Sequence, residues 1–169
     1  MKKQPIFTVR TLVGSALLAA IFVAQTFLPD ITQTFRFSLE FVPLAIAGYL
    51  FGPIPAMFVG FVGDVVGNVL VNIKEFNIFF TLIYTIGGLI FGLILHNRKK
   101  IQYIIISSAT YAVVVDFVLT TLALYFQYHV PFATAIPRLM KAGIVAVAMP
   151  FIIFGLIKLT DKVYKRKDF

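Results

Sequence analysis

The sequence predicts an all-α membrane protein, a single domain of six transmembrane helices with both termini on the cytoplasmic side. Three observations lead there. Of 169 residues, 60% are hydrophobic and 13% charged, where a soluble domain carries about a quarter charged. The apolar residues fall in runs close to the 17–25 or so residues that a helix needs to cross about 30 Å of hydrocarbon. The third is charge placement. Eleven of the fifteen Lys and Arg residues form three clusters: Lys2, Lys3 and Arg10; Arg98, Lys99 and Lys100; and Lys158, Lys162, Lys165, Arg166 and Lys167. Six spans put all three clusters on one side, and cytoplasmic loops are the ones that collect Lys and Arg.

The expected spans follow in order. The first covers residues 11–28 and stops at Pro29-Asp30; five more spans follow it, so it reads as a retained helix and not a cleaved leader. An outer loop leads to the second span, 39–51. Gly52-Pro53-Ile54-Pro55 is expected to form a tight turn, because proline fixes φ and ends the preceding helix. The third span, 56–71, carries Gly60, Gly63 and Gly67 at near-helical spacing. A polar segment, 72–77, makes the next outer loop before the fourth span, 78–95. The basic turn His96–Lys100 precedes the fifth span, 101–128, which is long enough to tilt. Another outer loop precedes the sixth span, 138–159, and the basic tail.

Composition excludes several functions. With no cysteine there is no disulfide and no thiolate metal site, and two histidines at segment ends, His96 and His129, make no metal centre; neither metal nor cofactor is expected. No Walker-type nucleotide loop is present, so the chain does not hydrolyse ATP. The net charge of +8 sits in loops and tails, where topology accounts for it without nucleic acid. A membrane enzyme acting on lipids would need clustered acids for a metal, or a base at the membrane edge. The residues left over here are basic, so no enzyme is expected.

Polar residues inside the spans carry the functional signal, because an ionisable group in hydrocarbon needs a partner or a water-filled cavity. Asp64, Asn68 and Asn72 are spaced four apart and share one face of the third helix. Asp116 lies near the middle of the fifth span. Arg138 and Lys141 share a face at the outer start of the sixth. Glu40 stands beside Arg36 at the outer start of the second. Two readings stay open: buried structural ion pairs that neutralise Asp64 and Asp116, or a polar pocket opening outward. Phe35 and Phe37 flank Arg36 in a polar loop and would suit stacking on a flat heteroaromatic ligand. Ala16, Ala20 and Ala24, also four apart, allow close approach of another helix, either within this bundle or from a partner.

Several of these stretches resemble a known family. Phe37 to Pro53 (FSLEFVPLAIAGYLFGP) is similar to the second span of the substrate-binding S components of energy-coupling factor (ECF) vitamin transporters. Gly60-Phe61-Val62-Gly63-Asp64-Val65-Val66-Gly67 resembles a pattern of the folate branch, and Pro137-Arg138-Leu139-Met140-Lys141 its sixth-span entry. The resemblance implies high-affinity capture of a vitamin near the outer face of a bacterial plasma membrane. Its partners would be a transmembrane scaffold subunit and two cytoplasmic ATPases. It implies ligand contacts from Arg138, Lys141, Asp64, Asn68, Asp116, Arg36, Phe35 and Asn72, and scaffold docking through Ala16, Ala20 and Ala24. Folate is the expected ligand, since its glutamate dianion suits the outer cations Arg36, Lys74, Arg138 and Lys141. Hydroxymethylpyrimidine is the alternative vitamin, and a ligand-free membrane scaffold protein is the alternative from another class.

Overall fold

The computed structural model describes residues 8–27, 39–72, 77–98, 100–128 and 135–165, with some side chains inside these ranges left undescribed. Every regular element among them is helical: α1 (Val9–Thr26), α2 (Phe41–Phe51), α3 (Pro53–Asn72), α4 (Ile78–Leu95), α5 (Ile101–Tyr111), a π-helical segment (Ala112–Leu119), α6 (Thr120–Tyr128) and α7 (Ala135–Lys165). Four stretches are long and apolar enough to cross a membrane: Val9–Thr26, Pro53–Val71, Ile78–Leu95 and Ile101–Ala123. α2 is a shorter apolar helix, as is the Val145–Thr160 stretch of α7.

The junction between α2 and α3 is tighter than the Gly-Pro-Ile-Pro motif suggests. Gly52 alone makes the turn, with φ of +90°, a conformation side chains disfavour. α3 begins directly at Pro53. Proline suits a first helical turn, where its missing N–H leaves no hydrogen bond unmade, so Pro53 and Pro55 start a helix here as well as stopping one. At the other end of the bundle, Asn77 caps α4: its side-chain oxygen accepts the Phe79 N–H at 2.9 Å.

α2, α3 and α4 meet where glycines remove side chains. A Cβ on Gly48 would lie 2.7 Å from the Gly92 nitrogen. Cβ atoms on Gly88 and Gly92 would overlap the Ala56 carbonyl and Pro53 Cα respectively. Backbone therefore lies on backbone along this seam, and α3 with α4 forms the most extensive helix pair. The same end holds the turn between α4 and α5: the Asn97 N–H reaches the Tyr49 carbonyl at 3.4 Å, His96 packs on Gly52, and Arg98 lies 4.7 Å from the Tyr103 ring centre. Gly52 and the basic turn thus occupy one end of the bundle, called here the basic end.

Phe22, Leu44, Phe91, Leu95, Ile104, Met149 and Ile153 fill the core. The outer surface is apolar too, with Leu17, Phe58, Leu82, Ile105, Val113 and Phe151 among the exposed large side chains. Such a surface has no place in water and suits lipid.

Candidate functional site

The acidic groups buried in this bundle, Glu40 and Asp64, lie away from the glycine seam, on the half towards Asn77. α3 turns Asp64 to face α4, and it is 3% exposed. Asn68, one turn on, donates from Nδ2 to both Asp64 Oδ1 and the Asp64 carbonyl, each at 2.9 Å. Thr81 of α4, itself fully buried, donates from Oγ1 to Asp64 Oδ2 at 2.6 Å. Both carboxylate oxygens are thus covered by neutral donors, tying α3 to α4 by a contact that spans 17 positions in sequence. Asp64 and Asn68 come together as their spacing requires. Among the described residues, neither oxygen of Asp64 meets a Lys or Arg.

A second constellation joins α2 to α4. Glu40 precedes α2 in the capping position yet makes no side-chain hydrogen bond to its own helix. Its side chain is turned inwards, 9% exposed, and hydrogen-bonds the buried hydroxyl of Tyr84. Tyr84 is held edge-on against Phe22 of α1, ring centres 5.2 Å apart at 82°. Gly60 gives it room, since a Cβ there would lie 2.5 Å from the Tyr84 carbonyl.

The third feature is the π-helical segment. Asp116 sits within it, half-buried. The wide turn is closed by Thr120, whose N–H reaches the Val115 and Phe117 carbonyls and whose Oγ1 donates to the Val115 carbonyl at 2.8 Å. Such bulges recur at functional sites because they re-aim side chains in an otherwise regular helix. Tyr111, stacked on Phe91 at 4.8 Å, lies within electrostatic reach of both Asp116 and Glu40. Towards this same half, Gln25 Oε1 and Thr121 Oγ1 are buried with no hydrogen-bond partner among the described residues.

Thr81, Tyr84 and Tyr111 were not legible as site residues from the sequence, and Glu40 was visible there only as a neighbour of Arg36. A signal existed in the hydroxyl-bearing residues of otherwise apolar spans. Phe35 and Arg36 lie outside the described residues, as do the side chains of Asn72, Arg138 and Lys141. Among the described residues no group of His, Asp or Glu is arranged to hold a metal ion.

α1 answers the question its alanines raised. Ser15, Leu18, Ala19 and Phe22 face the bundle, whereas Ala16, Ala20 and Ala24 are exposed. Of the two readings left open, packing of the whole stripe within this bundle does not fit the exposure of all three alanines. Phe22 and Leu18 take the inner face because their bulk fills the space that Gly63 leaves open beside Phe22, which turns the small residues outwards.

These features define a polytopic helical membrane protein with two buried acidic residues, Glu40 and Asp64, in one half of its interior. A family model described as "ECF transporter, substrate-specific component" matches residues 10–160, and the chain belongs to that family. It is 28% identical over 145 residues to the folate transporter FolT of Clostridium novyi, covering 83% of each chain. It is 29% identical over 141 residues to FolT of Streptococcus mutans serotype c, covering 78% of this chain and 76% of that one. A crystal structure of FolT bound with folic acid superposes with a TM-score of 0.80 at 27% identity, over 88% of this chain and 93% of that chain.

Proposed function

We propose that this protein is the folate-capturing S component of an ECF-type importer in a bacterial plasma membrane, with six transmembrane helices and both termini cytoplasmic. The observation that carries the reading is the structural match to FolT bound with folic acid over 88% of this chain, joined by two relatives that bear the same name. The protein performs no chemistry on its ligand. It works with a transmembrane scaffold subunit and two cytoplasmic ATPases, which supply the energy.

In this reading the ligand lies in the half of the bundle away from the glycine seam. Arg138 and Lys141, with Arg36, take the glutamate carboxylates, where charge-assisted hydrogen bonds are strongest. Phe35 stacks on the flat rings, and Asn68, Asn72 and Asp116 offer polar contacts. Asp64 supports the wall through its bond to Thr81. The exposed stripe Ala16, Ala20 and Ala24 docks on the scaffold subunit, whose helix can approach closely over small residues. Support for that role is the exposure of all three alanines on a helix whose other face is buried.

The test is calorimetric titration of the purified protein with folic acid and, separately, with hydroxymethylpyrimidine. Tight binding of folic acid is expected. Tight binding of hydroxymethylpyrimidine with none of folic acid overturns the assignment.

A further inference from the structure

We infer that Arg98, held over Tyr103, and Lys100 bind the headgroup of an anionic phospholipid at the basic end of the bundle. The inference does not depend on the folate reading.

The depth of this turn is set by the two helices it joins. Ile78–Leu95 and Ile101–Ala123 are both long and apolar enough to cross a membrane, and only residues 96–100 separate them. The turn is also drawn in against the bundle. The Arg98 N–H donates to the Leu95 carbonyl at 2.9 Å, and the Asn97 N–H to the Tyr49 carbonyl at 3.4 Å. Asn97 has a φ of +56°, a left-handed conformation that lets the chain reverse within these few residues. The headgroup layer on either side of a bilayer is about 5–8 Å thick, and so short a reversal stays inside it.

Arg98 is held within that layer. Its guanidinium lies over the ring of Tyr103, 4.7 Å from the ring centre, and Tyr103 stands in the first turn of α5. The side chain is thereby folded back towards the hydrocarbon edge, the level at which tyrosine rings collect. Arg98 and Lys100 are exposed, and neither meets a carboxylate among the described residues. The adjoining sequence supplies none, with no Asp or Glu between Glu75 and Asp116. Two cations at headgroup depth without a protein counter-charge fit an anion that the membrane itself provides.

The side chains set the chemistry of that anion. A guanidinium offers paired N–H donors that match phosphate oxygens, and stacking on a ring leaves its donor edge open. Lysine adds a second charge without a fixed geometry. A zwitterionic headgroup brings its own cation to the phosphate, whereas an anionic one such as phosphatidylglycerol leaves the charge for the protein. The occupant is therefore an anionic lipid, with each cation worth about a fivefold preference at a membrane surface.

The experiment is native mass spectrometry of detergent-purified, monodisperse protein with equimolar phosphatidylglycerol and phosphatidylcholine of the same chains. Wild-type protein is expected to retain phosphatidylglycerol about 10- to 30-fold more strongly. Arg98→Gln and Lys100→Gln are each expected to cut that preference by about three- to fivefold. Tyr103→Leu keeps every charge but releases the guanidinium, and should cut it by about two- to threefold. Lys158→Gln removes the same charge from an exposed residue of α7 outside the turn, and should change it by less than about twofold. Equal retention of the two lipids by wild-type protein would overturn the site. So would an undiminished preference in Tyr103→Leu, or a loss in Lys158→Gln as large as in Arg98→Gln, which would reduce the effect to diffuse attraction between charges. Retention of inorganic phosphate by Arg98 and Lys100 in a lipid-free sample would make the ligand a soluble anion and overturn the lipid assignment.

Discussion

Replacing Gly48 by alanine tests the packing of α2 against α4 directly. The added methyl carbon would sit 2.7 Å from the Gly92 nitrogen and 2.8 Å from the Phe91 carbonyl carbon. Carbon contacts are comfortable from about 3.5 Å, so the two helices must part by roughly 1 Å. Both clashing atoms are backbone, and no side chain can swing away to relieve them. Overpacking of this kind costs about 1–3 kcal/mol, and at about 2–4 °C per kcal/mol for a chain of this size the midpoint falls by roughly 2–12 °C. Gly143 and Gly155 on α7 provide internal controls, because a Cβ at either meets nothing within 4 Å. Alanine there removes glycine's conformational freedom from a helix and leaves the midpoint unchanged or slightly raised. The assay is thermal unfolding in detergent followed by far-ultraviolet circular dichroism. If Gly48→Ala melts no lower than Gly143→Ala, the seam is not the close backbone contact argued here.

Three other outcomes are expected. Thr81→Val keeps the shape of the side chain but strips the donor from Asp64 Oδ2, and should lower stability by about 1.5–3 kcal/mol in the same melt; a change below about 0.5 kcal/mol would remove the α3–α4 clasp from the account. Ala16→Phe with Ala20→Phe should abolish folate uptake by cells that carry the full transporter while the purified subunit keeps its affinity, because both positions are exposed; lost affinity would make them part of the ligand-binding fold. Arg138→Ala should weaken folic acid by about 10- to 100-fold with normal membrane insertion, and unchanged affinity in a titration would take Arg138 out of the pocket.

What the sequence could and could not disclose follows from the solvent. In water, the apolar face of a helix is its buried face. In lipid both faces are apolar, so periodicity says which residues share a face but not whether that face looks inwards or out. Asp64 and Asn68 could be grouped on sight, because spacing of four fixes their mutual position. Ala16, Ala20 and Ala24 could be grouped too, but their exposure depends on how Phe22 meets Gly63, which one strand of sequence does not contain. Thr81 as the partner of Asp64 is likewise a fact of tertiary packing between α3 and α4. The π-helical segment left no mark in composition, since its residues, Ala112–Leu119, suit an ordinary helix apart from Asp116.

The distribution of polar and small residues gives the bundle a direction. Gly48, Gly52, Gly88 and Gly92 bring backbones together near the basic end, where Tyr49 and Asn97 join the two turns. Glu40, Asp64, Thr81, Tyr84 and Asp116 lie further from that end, where Gly60 still brings the α3 backbone close to the Tyr84 carbonyl. In the proposed reading, a ligand bound among the polar groups would enter from the end away from this seam. Under the proposed function, the exposed alanine stripe of α1 would be the surface on which the partner subunits hold this one.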